Sequence, residues 1–173
     1  MPEHTTLARR EVMAAALGAV ALAAPALADA QTKPATPGSP DLEKLKALLD
    51  SYTKAFSAHD LAGVMKHFAP NAVVIGTGPG EIWGGPEEIA EAHKNYFQVF
   101  DKGKQSAEQL FRDGHIVGGM AWLLSMTKMT ITKGDKTSDF GLNSSVVFER
   151  EGTEWLVRAM HISNITAGAP AKG

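Results

Sequence analysis

The feature that most constrains this chain is a change in the spacing of its apolar residues near Lys102. Before that point they recur every three or four residues, the period of one face of an α-helix. After it they fall in strand-length runs broken by turn signals. Helices spent first and antiparallel strands last predict an α+β domain, with the helices on one face of a curved sheet.

The helical half divides in three. Leu42, Leu45, Leu49, Tyr52 and Phe56 form one stripe, and Ser39-Pro40-Asp41 supplies a cap, a first-turn proline and an early negative charge. Asp60 is placed to cap a second, short helix carrying Leu61, Val64, Met65 and Phe68, with Pro70-Asn71 as its end and His67 facing solvent. Val73-Val74-Ile75 reads as a buried strand, Gly76–Gly80 as a turn, and Glu81-Ile82-Trp83 as a brief pairing segment. Pro86 opens a third helix with Glu87 and Glu88 in its first turn and Ile89, His93, Tyr96 and Phe100 on one side. Strands are expected over Ser106–Arg112, Met120–Thr132, Phe140–Arg150 and Trp155–Ile165, with turns at Asp113-Gly114, Gly134-Asp135 and Glu151-Gly152.

The first thirty residues read as a signal rather than as fold. Arg9-Arg10 precede an Ala-rich apolar run, Val12–Leu27, and Ala28-Asp29-Ala30 offers the small residues that signal peptidase accepts. An uncleaved membrane helix is the competing reading. It is weakened by Pro25 and by the low insertion energy of alanine. Either twin-arginine or general export fits the arginine pair, and both imply a periplasmic or secreted bacterial protein. Residues 31–40 read as a flexible linker, 41–165 as the domain and 166–173 as a disordered tail.

Cleavage after Ala30 leaves 143 residues, enough for one continuous core, with fifteen basic against sixteen acidic side chains. So balanced a charge gives no field for a polyanion, and nucleic acid is not an expected partner. The chain has no cysteine, which excludes disulfides, a thiol nucleophile and thiolate metal sites. The histidines show no metal-binding spacing with carboxylates, and no dinucleotide or phosphate-loop motif is present, so neither metal nor cofactor is expected.

The order of these elements resembles the nuclear transport factor 2-like superfamily in its SnoaL-like branch. Four pieces carry the resemblance: Tyr52 with His59-Asp60-Leu61; Phe68-Ala69-Pro70-Asn71-Ala72; Gly76-Thr77 followed by Glu81-Ile82-Trp83-Gly84; and Trp155-Leu156-Val157 running to His161-Ile162-Ser163. It implies a cone-shaped domain whose three helices cover the concave face of the sheet, a pocket between them, and usually a homodimer. The superfamily includes ketosteroid isomerases, dehydratases, polyketide cyclases and epoxide hydrolases, but also non-catalytic transport and kinase-association modules, so fold alone does not give function. Tyr52 stands before Asp60 as a tyrosine of the isomerases stands before theirs. The isomerases' general base falls here at Gly76-Thr77, and their second acid within Asn143–Val146, where no carboxylate exists. Steroid isomerisation is therefore disfavoured. His161 and Ser163 match the last strand of the SnoaL-like branch.

Candidate site residues follow. Period-two alternation puts Trp155, Val157, Ala159, His161 and Ser163 on one face, so His161 is expected to enter the pocket as a general acid or base, with Ser163 beside it. A structural, hydrogen-bonded histidine is the alternative. His93 is expected to point inward from the third helix, either as a catalytic imidazole or as a satisfied core histidine. Tyr52 offers either a phenol in the pocket or amphipathic core. Glu81 and Trp83 flank the glycine-rich loop, either as ligand-binding residues at a cavity mouth with the carboxylate able to act as a base, or as a packing ring and a carboxylate that is solvated or paired with a backbone donor. Asn143 and Ser145 share a face that is either pocket wall or solvent-facing surface. The combined expectation is an exported domain that binds a small, largely apolar molecule in a concave pocket. Cofactor-free acid–base chemistry of isomerase, dehydratase or cyclase type is compatible with this set. The alternative is a non-catalytic dimerisation or protein-binding module. An apolar outer face on Met120–Thr132 and Phe140–Arg150 would be buried by homodimerisation.

Overall fold

A computed structural model describes residues 39–165; residues 1–38 and 166–173, where the signal, most of the linker and the tail are expected, lie outside the described residues. Two helices, α1 (Pro40–Ser57) and α2 (Leu61–Met65), precede β1 (Phe68–Ile75) and β2 (Ile82–Gly84), and a third, α3 (Gly85–Tyr96), follows them. Four long strands follow: β3 (Gln105–Val117), β4 (Met120–Lys133), β5 (Lys136–Glu151) and β6 (Glu154–Asn164). They form one open six-stranded sheet in the order β2-β1-β6-β5-β4-β3. Only the β1–β6 pair is parallel. The domain is α+β, with the helices on the inner face of a curved sheet.

The local signals explain the helix starts. Ser39 Oγ accepts from the Leu42 amide at 3.2 Å, and Asp60 Oδ1 accepts from the Gly63 amide at 2.9 Å. Glu88 reaches back to the Gly84 amide at 2.7 Å, at the start of α3. Asp41 anchors α1 to the sheet, accepting from Trp155 Nε1 and pairing with Arg150, both at 3.1 Å. Leu45, Leu48, Leu49, Tyr52, Ala55 and Phe56 form the buried stripe of α1. They meet the inner sheet residues Leu123, Met129, Leu142, Val146, Phe148, Met160 and Ile162 in one core. Among the described residues no helix is long and apolar enough to cross a membrane.

Four sequence expectations need correction. Helix α2 ends at Met65, and Pro70-Asn71 lies inside β1 rather than ending a helix. Proline is tolerated there because the β1–β6 ladder is interrupted between Phe68 and Val73, so its missing N–H forfeits no bond. Helix α3 stops at Tyr96, and Phe100 is buried from the following turn. Asp113-Gly114 is not a hairpin. It sits within β3, where a Cβ on Gly114 would lie 2.7 Å from the Trp122 carbonyl, and the chain turns instead at Gly118-Gly119. Finally, His67 is buried rather than solvent-facing. Its Nε2 lies 3.1 Å from Ser51 Oγ, and burial lowers its pKa to about 4.

The consequential irregularity is a bulge in β6. Val157 pairs with Phe148 and Ala159 with Val147, which leaves Arg158 as an extra residue. A bulge resets the alternation. Trp155 and Val157 face the core before it, and Met160 and Ile162 face the core after it.

Candidate functional site

The inner layer is built on two tyrosines and a histidine. Tyr52 of α1 and His93 of α3 meet with the Tyr52 hydroxyl 3.1 Å from His93 Nε2, while His93 Nδ1 lies 2.7 Å from the Ile89 carbonyl. A carbonyl only accepts, so Nδ1 carries the proton, Nε2 is the acceptor and Tyr52 donates to it. Five aromatic rings surround the imidazole, those of Tyr52, Phe56, Phe68, Tyr96 and Phe97, at centroid distances between 5.5 and 6.4 Å. In so apolar a cage the charged imidazolium is disfavoured, and burial lowers the His93 pKa to about 4. Burial also raises the Tyr52 pKa well above its ordinary value. His93 is 0% exposed with both ring nitrogens occupied. The pair that the sequence singled out is thus brought together, as a closed internal hydrogen bond.

Beside it, at the β1–β2 hairpin, lies a second cluster with unused hydrogen-bonding capacity. Trp83 of β2 stands edge-on to Tyr96 of α3, with centroids 6.0 Å apart and an interplanar angle of 84°. Glu81 folds over the loop, its Oε2 accepting from the Gly78 amide at 2.7 Å. Gly76 makes room for both: a Cβ there would lie 2.5 Å from Glu81 Oε2 and 2.8 Å from the Trp83 ring. The Tyr96 hydroxyl is buried with no hydrogen-bond partner among the described residues, and so is Thr77 Oγ1. Burial, reinforced by the Glu81 carboxylate, pushes the Tyr96 pKa up, which keeps the phenol protonated. Glu81 and Trp83 are therefore neighbours, as the sequence suggested. Tyr96 and Thr77 were missed as site residues; the signal for Tyr96 was its place on the same α3 stripe as His93.

The inner face of the sheet also carries hydroxyls. Ser125 and Ser144, paired across β4 and β5, are hydrogen-bonded at 2.6 Å, and Thr127 is buried one step along. No sequence signal separated them from the core, because β4 has apolar residues on both faces. A surface trough between α1 and the turn after α3, lined by Asp50, Thr53, Lys54, Ser57 and Lys102, includes none of the candidate residues.

The other three candidates lie on the outer face. His161 is exposed, cross-strand from Ile75 and Ser145, and Asn143 pairs with Ser163, both half-buried. The expectation that His161 shares a face with Trp155 and Val157 is overturned by the Arg158 bulge, which turns it away from Tyr52 and His93. Around these residues the outer face exposes Val73, Ile75, Trp122, Leu124 and Met126.

Comparison with known proteins agrees with this architecture. A family model described as the SnoaL-like domain matches residues 45–168. No curated protein matches the chain. Among solved structures, a proposed calcium/calmodulin-dependent protein kinase II association domain from Xanthomonas campestris is similar at 20% identity and a TM-score of 0.65, covering 82% of this chain and all of that one. A proposed dehydratase of the NTF2-like family from Streptomyces avermitilis is similar at 12% identity and a TM-score of 0.65, over 73% of this chain and 98% of that one. A ketosteroid isomerase-like protein from Erwinia carotovora atroseptica is similar at 20% identity and a TM-score of 0.58, over 73% and 98% of the two chains.

Proposed function

We propose, from the premise that this chain belongs to the SnoaL-like domain family, that it is an exported domain binding a small, largely apolar molecule between helices and sheet. The observation that carries this reading is the Tyr96 hydroxyl, on a residue only 4% exposed, without a hydrogen-bond partner among the described residues. An unsatisfied buried hydroxyl costs roughly 1–3 kcal/mol, and a ligand group beside Tyr96 and Glu81 recovers that cost. Trp83 and Tyr96 supply apolar surface, as small-molecule sites usually do.

If the compartment is catalytic, Glu81 is the group with the right chemistry for a base. It is ionisable, acceptor-only and next to a protonated phenol that can donate to a developing oxyanion. His93 does not suit that role, because taking up a proton would break its bond from Tyr52. Isomerase or dehydratase chemistry without a cofactor needs no more than such a pair. The similar dehydratase and isomerase-like proteins make the fold compatible with it.

The experiment is mass spectrometry of small molecules released by denaturing the protein after native purification from its own host. An apolar molecule should co-purify in stoichiometric amount, and Trp83→Ala should deplete it. Purification of a clean protein with no such molecule, from cells growing under several conditions, counts against the reading. An intact-mass measurement on the same purified protein tests export, since the chain should begin at Gln31.

A second reading has its own support. The exposed apolar outer face around Trp122, Leu124 and Met126 suits self-association, and a homodimer formed there is compatible with either a ligand site or a purely structural module. Light scattering at micromolar concentration should report a dimer.

A further inference from the structure

We propose that the hairpin compartment takes an uncharged ligand whose polar group is a hydroxyl, and that it rejects anions. The inference rests on the reading of that compartment as a ligand site and adds the chemistry it selects.

Tyr96 packs edge-on to Trp83, and Glu81 shares with Trp83 the space beside Gly76; the two groups have complementary deficits. A phenol offers one proton and an acceptor oxygen, and the Tyr96 hydroxyl uses neither among the described residues. A carboxylate only accepts, and Glu81 has one oxygen engaged by the Gly78 amide, leaving further lone pairs for a donor. The strain-free partner for both is a group that accepts from Tyr96 while donating to Glu81. A hydroxyl does both at once. An ether or ketone only accepts, so it leaves Glu81 without a donor. An ammonium gains the pairing with Glu81 but only donates, so it leaves the phenol proton without an acceptor, and desolvation of its charge offsets the attraction.

The rejection of anions has a separate cause. Five ion pairs tie Lys46, Lys94, Lys133, Arg150 and Arg158 to acidic partners other than Glu81. None of the ion pairs among the described residues reaches Glu81, so no paired cation neutralises its carboxylate. A second negative charge beside it would be repelled in a site half-screened from water. The Trp83 ring, perpendicular to Tyr96, leaves the remainder of the ligand an apolar surface.

The test uses the purified chain and four probes of one shape: 2-naphthalenemethanol, 2-methylnaphthalene, 2-naphthoate and 2-naphthylmethylammonium, titrated calorimetrically at neutral pH. The alcohol should bind about ten-fold more tightly than the hydrocarbon, the size of one net hydrogen bond, and the naphthoate should bind weakest. Tyr96→Phe deletes only an unpartnered hydroxyl, so the variant should fold and lose the alcohol's advantage. Glu81→Gln should bring the naphthoate to within about three-fold of the alcohol. Equal binding of alcohol and hydrocarbon, or tightest binding of the ammonium or the naphthoate, overturns the hydroxyl preference while leaving a ligand site in place. Failure of all four probes to bind sinks both the preference and the site.

Discussion

On β4, Met129 is 0% exposed beneath the helices, while Met126 is 38% exposed on the opposite face. The same division separates two histidines. His93 lies in an aromatic cage with both nitrogens bonded, and His161 faces outward between Ile75 and Ser145. Inner and outer faces of this sheet therefore offer similar side chains in different surroundings. What a methionine or a histidine contributes here depends on which face the helices cover. An apolar face left open must be hydrated or covered by another molecule, whereas a covered polar group must find partners inside.

The sharpest way to break this comparison is to put the same charge on each face of β4. Met129→Lys should cost at least about 5 kcal/mol, because an unpaired ammonium has no partner in the core. Urea denaturation should then find little folded protein. Met126→Lys should leave the fold within about 0.5 kcal/mol of the parent, yet shift the proposed dimer to a monomer by light scattering. Equal damage from both would show that the outer face is as integral to the fold as the inner one.

Inserting one alanine between Ala159 and Met160 tests the register that divides the faces. With this further residue, Met160 and Ile162 would turn outward and His161 inward. The lost burial of two large side chains should destabilise the domain by about 4 kcal/mol. An insertion variant as stable as the parent would mean that β6 absorbs the residue in a wider bulge.

Acid should act on the buried histidines. The folded pKa of His93 is about 4, below the ordinary 6.5, so the unfolded chain takes up the proton first as pH falls. Stability is complete above about pH 6.5 and is lost as pH falls towards 4, amounting to about 3 kcal/mol for this group. His67, also near 4, loses stability in the same window. Denaturation midpoints measured across that range should flatten measurably in His93→Gln.

The smallest effect is expected at His161. Because it is exposed, His161→Asn should change stability by less than about 0.5 kcal/mol. A large loss would place His161 in a contact beyond those of the single chain.

How much was legible in the sequence varies with the kind of signal. The caps at Ser39 and Asp60, the α1 stripe and the turn glycines are local, and each acts through its own neighbours. They accordingly gave the α+β class and most element positions. The meeting of Glu81 with Trp83 was also accessible, because two residues apart on a hairpin they cannot separate far. Tyr96 and Thr77 were harder: nothing local says that a tyrosine on a buried stripe will lack a partner for its hydroxyl.

What the sequence by itself determined is the succession of helices and strands, since periodicity and capping depend on residues within a few positions of one another. Which face of the sheet became the core was decided only by the tertiary structure. One extra residue at Arg158 changes the phase of every side chain after it, and β4 carries apolar residues on both sides. The choice therefore fell to the packing of α1 and α3, which bury Met160 and Ile162 and leave His161 outside.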